Sequence, residues 1–389
     1  ASLAIKELTE WVFEEMKKLC IFCGARPNFI KVAPIIRVIN RLSEENSSHK
    51  VSYSLVYAGS ENDPTLEDQL FDNLSIRRPD IYLGVECENL NELTGQVMSK
   101  FEKYLQENPS DVVIVVDDLA STMAAAIVTK KQAITLAHIA AGTRSFDITM
   151  PKEINRLVID GLSDILFTAG FSNNSIANKE GAELSKVYMV GNILIDNIRY
   201  DRERIEGMKL SDIDELAGLP LKEGNYLVFT LNRKALLADQ DNLERMLHVL
   251  SETAGDTPII APLRDSAVQV IMALSLKKNI KLHNLHIVKP LGYLEFAYLT
   301  AHAKGIITDS GNVAEEATFN GVPCITLNSY TEHIETAKVG SNVLVGEDPE
   351  LLRSSLSDMV AGTWKKCGVP ERWDGRSAER VVQILLERH

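Results

Sequence analysis

Several things are missing from this 389-residue chain, and each absence removes a class of function. Neither GxGxxG nor GxxxxGK[ST] occurs, so the dinucleotide fingerprint and the P-loop are both excluded. No apolar run approaches the length of a bilayer-crossing helix, and no membrane partner is expected. Positive charge is scarce: 41 Lys and Arg stand against 54 Asp and Glu, a net charge of −13. Broad nucleic-acid binding is therefore excluded, and any anionic ligand must be met by a few placed cations. Only five cysteines occur. The CxxC of Cys20 and Cys23 lies inside the apolar run Leu19–Cys23 and has no second pair to complete a zinc site. Both read as buried small hydrophobes, and reduced cytoplasmic thiols fit best. The first fifteen residues lack a signal peptide's basic start and apolar centre. With Leu3, Leu8, Trp11 and Val12 they read as a short amphipathic helix, an extension ahead of Met16-Lys17-Lys18.

Strand-like apolar runs alternating with helical patterns fill the rest. In the first half they are Leu19–Cys23, Val51–Tyr57, Val112–Val116, Ala133–His138, Ile165–Ala169 and Val187–Val190, with Leu90–Leu105 and Leu119–Lys130 the clearest helices. After Gly191-Asn192 a second series follows: Tyr226–Thr230, Pro258–Ala261, Leu285–Val288, Gly305–Thr308 and Cys324–Leu327. Runs that are apolar throughout belong in parallel sheets covered on both faces. The reading is α/β, with two Rossmann-like domains over 16–192 and 193–371. A last helix, within 372–389, is expected to pack back on the first domain.

The stretch His138–Arg156 follows a strand-like run, turns at Ala141-Gly142 and enters a helix opened by Pro151. Such a loop is where α/β sheets hold ligands, and this one offers His138, Arg144, Asp147, Glu153, Asn155 and Arg156. The competing reading is a loop that is polar because it is wet. Gly24–Lys31, with Arg26 and Lys31 at a helix start, makes an anion pocket or a plain solvated turn. At most one of Asp117 and Asp118 faces a cleft and can act as a base; the competing reading is that one of them merely caps the next helix. No His or further Asp joins them, so no metal is expected. Asp309-Ser310-Gly311-Asn312 precedes a helix carrying Glu315 and Glu316: free N–H groups there suit a diphosphate, and a glutamate one turn in suits a ribose diol. Helix capping explains Asp309 or Ser310 but not the glycine.

These stretches, with Val190–Asp196, Tyr226–Arg233, Pro290–Phe296 (PLGYLEF) and Thr308–Gly346, make the chain resemble the non-hydrolysing bacterial UDP-N-acetylglucosamine 2-epimerases from Met16 onward. The resemblance implies two Rossmann-like domains facing a central cleft, as in GT-B glycosyltransferases, in a homodimer with no cofactor. UDP would be held mainly by the second domain, with Phe296 against uracil, Glu316 on the ribose, and Ser310 and Gly311 at the diphosphate. Arg26, Lys31 and Arg233 fall where the family places cations or closure contacts. The implied reaction removes the sugar's C2 proton as UDP leaves C1, then returns both, with Asp118 as the matching acid.

The chain departs from the pattern at the chemistry. A family glycine is Asp117, and a catalytic Glu is Ala140. Lys152 stands in the Pro-Glu-Glu motif, and a catalytic His is Asn232. Losing one general acid or base costs about 10²–10⁴ in rate. Three readings follow: a divergent epimerase using Glu153, Glu61 or His333 as relocated groups; a catalytically silent relative that binds a nucleotide sugar or a partner; and GT-B-like glycosyl transfer.

Overall fold

A computed structural model describes residues 16–45, 51–181 and 185–387. The helix expected over the first fifteen residues lies outside them. The chain divides into two compact units, the first comprising residues up to Asn197 together with Asp374 onward, the second Ile198–Trp373.

The first unit carries a seven-stranded, all-parallel sheet of β1 (Lys17–Cys23), β2 (Val51–Tyr57), β3 (Ile81–Tyr82), β4 (Val112–Val116), β5 (Thr135–Ile139), β6 (Ile165–Thr168) and β7 (Lys186–Met189). Their order is β3-β2-β1-β4-β5-β6-β7. The second unit repeats the plan with β8 (Leu227–Thr230), β9 (Ile259–Pro262), β10 (Leu285–Val288), β11 (Gly305–Thr308), β12 (Cys324–Thr326) and β13 (Asn342–Leu344), in the order β10-β9-β8-β11-β12-β13. Both are Rossmann orders, and the α/β class with two parallel sheets agrees with the sequence. The order reverses between β1 and β4 in one sheet and between β8 and β11 in the other. Beyond the carboxyl ends of those strand pairs, diverging loops leave the crevice that α/β sheets use for ligands.

Helices cover both faces, which is why β4 is apolar at every position. In β4, Val112, Ile114 and Val116 pack into one core layer, and Val113 and Val115 into the other. The same alternation places Cys20 and Cys23 on opposite faces of β1, both fully buried, so the CxxC is neither a disulfide nor a metal pair. Sequence reading missed β3 and β13, which at two and three residues are too short to show a period. Among the described residues, no helix is long and apolar enough to cross a membrane.

The last helix, Ser377–Glu387, packs along Arg26–Glu44 and buries Val381, Val382 and Leu385 in the first unit's core. Its start is capped at long range: the Ser377 and Ala378 amides donate to the Asp196 carboxylate at 3.1 and 2.8 Å. Burial pushes that carboxyl up to about 6, against the two amides that favour its charge. Because Leu385 is fully buried there, Leu385→Ala should lower unfolding free energy by about 2–5 kcal/mol. Glu387→Ala, on the exposed side of the same helix, should stay within about 0.5 kcal/mol; urea midpoints of the two variants check this.

Candidate functional site

At the first unit's reversal point, β1 is followed by Gly24, which has room only for hydrogen: a Cβ there would lie 2.0 Å from Ser121 Oγ, across the crevice. The Gly24 amide donates to Asn28 Oδ1 at 2.9 Å, and Asn28 Nδ2 points to Asp117 Oδ2 at 3.4 Å. Lys31 Nζ donates to Asp117 Oδ1 at 2.6 Å. Asp118 turns the other way, accepting from Arg156 Nε at 2.9 Å through its carboxylate and from Asn155 Nδ2 at 3.0 Å through its carbonyl. The two adjacent acids thus take different partners, as neighbours on an extended chain must. Arg26 is exposed and reaches the Thr65 carbonyl at 2.9 Å.

The stretch from 138 to 156 is polar for the opposite reason to wetness. His138, Arg144, Glu153 and Arg156 are buried, whereas Phe146 and Ile148 are 76% and 65% exposed. His138 lies inside β5 rather than in the loop. Its Nδ1 is 2.6 Å from Asp160 Oδ1 and its Nε2 is 2.9 Å from the Asp117 carbonyl. Both partners are acceptors, so both ring nitrogens donate and the ring is an imidazolium. Burial opposes that charge, but Asp160 and the Asp117 carbonyl outweigh it and raise the pKa. Asp160 also accepts from Arg144 Nη1 at 2.8 Å and from the Gly142 amide at 3.0 Å. Gly142 has φ +75° and meets the Asn173 carbonyl so closely that no side chain fits.

Arg144, expected to bind substrate, is buried instead, its guanidinium held by Asp160, Glu180 and the Thr143 carbonyl. A ligand would have to displace a buried carboxylate to reach it. Glu153 accepts from the Ser145 amide at 2.9 Å, the Ser145 hydroxyl at 3.0 Å and the Phe146 amide, and faces Arg156 at 3.5 Å. These bonds clamp the loop, where Phe146 is held at φ +61°. Lys152 is exposed on the first turn of Pro151–Leu162, and Ala140 sits at φ +67° beyond β5. Sequence reading missed Asp160. Its signal was there: Glu153, Arg156 and Asp160 recur at i, i+3 and i+7, the period of one helix face, and that face is buried.

In the second unit, Asp309 ties the two crevice loops together. Its carboxylate accepts from the Asn232 and Arg233 amides at 2.8 and 2.6 Å. Arg233 also donates to Asn328, whose amide reaches the Asp309 carbonyl at 3.1 Å. Ser310 is the N-cap of Gly311–Asn320, its Oγ 3.5 Å from the Val313 amide. Gly311 and Asn312 are exposed, and a Cβ on Gly311 would meet nothing within 4 Å, so this helix start opens outward. Arg233, Ser310 and Gly311 are therefore brought together. Phe296, half-buried on Tyr293–Ala301, packs on the core layer that holds Ala314 and Ala317. Glu315 is buried against His333, Oε1 to Nε2 2.8 Å. Glu316, its neighbour, lines a cavity of about 160 Å³ with Ile205, Ala297, Ala301, His302 and Phe319. Burial, then the Glu315 carboxylate, pushes the Glu316 carboxyl up to about 7. Glu61, the other candidate for relocated chemistry, is exposed in the loop after β2. Among the described residues, no cluster of His, Cys, Asp and Glu could hold a metal ion.

The family model described as UDP-N-acetylglucosamine 2-epimerase matches residues 43–386. The chain belongs to the UDP-N-acetylglucosamine 2-epimerase family. A Methanococcus maripaludis protein named a UDP-N-acetylglucosamine 2-epimerase homolog is 34% identical over 95% of this chain and 99% of its own. The Methanocaldococcus jannaschii UDP-GlcNAc 2-epimerase structure superposes with a TM-score of 0.79 at 31% identity, covering 95% of this chain and 100% of that one. A second structure of that enzyme, in complex with UDP-GlcNAc and UDP, gives 0.76 at 30% identity with the same coverage. The paired Rossmann-type sheets are thus the GT-B-like architecture of this family.

Removing His138 leaves Asp160 buried with one fewer partner, so His138→Ala should cost about 3–5 kcal/mol. The raised pKa means the imidazolium's contribution is full below pH ~6.5 and fades as pH rises through the higher folded-state value. Denaturation at pH 6 and pH 9 should therefore show a wild-type loss at pH 9 that is smaller in the alanine variant.

Proposed function

We propose that this chain is a UDP-sugar 2-epimerase, interconverting UDP-GlcNAc and UDP-ManNAc or a closely related UDP-sugar. A base removes the C2 proton as UDP leaves C1; UDP then adds back and a proton returns to the other face of C2. The observation that carries the reading is the family match along residues 43–386, together with near-complete overlap with a relative whose structure holds UDP-GlcNAc and UDP.

In this reading the outward-opening helix start at Ser310, Gly311 and Asn312 takes the diphosphate. Its first-turn N–H groups and the helix dipole favour negative charge there. Glu316 accepts the ribose hydroxyls and Phe296 lies against the uracil. Arg233 and Arg26 supply cations that an acidic chain must place individually, and Lys31 faces the ligand while paired with Asp117. Asp118 is the acid–base group, oriented by Arg156 and Asn155. Arg144 and Glu153 brace the loop beneath it rather than meet the ligand. A cytoplasmic homodimer belongs to the same reading; five unpaired cysteines suit a reducing compartment, and sedimentation of the purified protein tests the dimer.

One set of observations favours a second reading, nucleotide-sugar binding without turnover. Ala140 and Asn232 cannot transfer a proton, Lys152 replaces a carboxylate, and the acceptors of Glu153 are taken up by its own loop. Proton NMR with UDP-GlcNAc in D2O separates the two. Turnover should erase the C2 proton signal and produce UDP-ManNAc, and Asp118→Asn should stop both. A C2 proton that survives long incubation, with saturation transfer to uracil and ribose, would replace the first reading by the second.

The carboxyl of Glu316 gives a further expectation. Only its ionised form accepts from both ribose hydroxyls, so UDP-GlcNAc affinity should climb as pH rises through about 7 and level off above. The sugar nucleotide's diphosphate keeps its charge over that range, so the slope reports the protein. Glu316→Gln should flatten the slope and weaken binding about tenfold or more at pH 8, measured by calorimetry.

A further inference from the structure

The first unit has its own seat for an anion, and something already sits in it. Helix Arg26–Glu44 begins at the reversal point, its start facing the loop after β4, with Asn28 on its first turn and Lys31 on its second. Helix starts attract negative charge. Both side chains point at one group, the Asp117 carboxylate: Lys31 Nζ lies 2.6 Å from Oδ1 and Asn28 Nδ2 3.4 Å from Oδ2. Asn28 is almost wholly buried, and its Oδ1 is fixed by the Gly24 amide, so its amide nitrogen cannot turn elsewhere. The Lys31 and Asp117 side chains remain 18% and 20% exposed, open to solvent from outside.

Asp117 reaches this position through a backbone that aspartate adopts at a cost. Its φ is +63°, the left-handed region where glycine is at ease and other residues are strained. The strain is held from beneath: the His138 imidazolium grips the Asp117 carbonyl at 2.9 Å, and the Asp117 amide donates to the Ile139 carbonyl at 3.3 Å. A strained, over-determined residue whose charge neutralises a crevice-facing cation is arranged for a purpose other than stability.

We propose that Asp117 is a resident counter-anion that occupies the first unit's anion seat, engages Lys31, and so sets which ligands the crevice admits. The carboxylate stands where a ligand phosphate or carboxylate would otherwise meet Lys31. A ligand anion must either displace it, against the Lys31 bond, or suffer its repulsion. Wild-type protein is thereby tuned toward ligands that present a hydroxyl or amide, rather than a second negative group, at this point. The inference rests on the nucleotide-sugar reading only in taking Lys31 to face the ligand.

The test is calorimetric titration of wild type, Asp117→Gly, Asp117→Asn and the double variant Asp117→Gly/Lys31→Gln with inorganic pyrophosphate and with UDP-GlcNAc. Glycine suits the left-handed backbone, so the single variant should fold at least as well as wild type, which its thermal midpoint checks. Asp117→Gly should bind pyrophosphate about tenfold or more tightly than wild type, as expected for one charge-assisted bond. Asp117→Asn should fall between, and the double variant should lose the gain. Affinity unchanged or weakened in Asp117→Gly, or a gain that survives Lys31→Gln, overturns the proposal. A parallel titration of wild type with UDP keeps the two readings apart. Failure of UDP to bind counts against the nucleotide site of the second unit, while the pyrophosphate series still decides the role of Asp117.

Discussion

A positive charge enclosed between two acceptors organises the first unit. The His138 ring has no neutral form that satisfies both the Asp160 carboxylate and the Asp117 carbonyl, so the protein stabilises the ion and builds outward from it. Toward the helix, Asp160 gathers Arg144 and the Gly142 amide and fixes the turn beyond β5. Toward the crevice, the same ring holds the left-handed residue from which both acids diverge. Replacing a buried ion set of this kind by hydrophobic residues is often neutral for stability. Its value here is positional: it sets the opposed directions of the Asp117 and Asp118 carboxylates at the reversal point.

The second unit reaches a similar end with a different device. The Asp309 carboxylate binds the main-chain amides of Asn232 and Arg233, so the loop after β8 is held to the loop after β11 whatever side chain stands at 232. The side chain at 232 takes no part in this tie and is exposed. Lys152 is likewise exposed on a helix whose buried face does the packing, and Ala140 contributes a backbone bend. Framework and chemistry are thus carried by different atoms of the same residues. That separation lets one fold retain its loops whatever side chains stand at 140, 152 and 232.

What could be read in the sequence follows from the same division. The strands were legible because burial on both faces leaves a plain apolar signature, as in Val112–Val116, and the reversal-point loops because glycine, acid and cation cluster after such runs. The orientation of the charges was not. Arg144 looks like a ligand-binding cation in a list of letters, and only the proximity of Asp160 and Glu180 turns it into a buried brace. Phe146 and Ile148, apolar in sequence, form the exposed tip. Asp117 is the sharpest case: sequence shows the first of two adjacent aspartates, but not that it folds back onto Lys31. Pairings between residues 86 apart in the chain leave no local period to read.

The long-range placement of the last helix bears on how the chain is made. Residues 198–373 are, topologically, an insertion: the first unit starts before them and is finished only by Ser377–Glu387, which closes the core over Arg26–Glu44. During synthesis the inserted unit has its entire sequence available before its host does. The earlier-made half must then wait, one flank of its core uncovered, until residues 377–387 have been made.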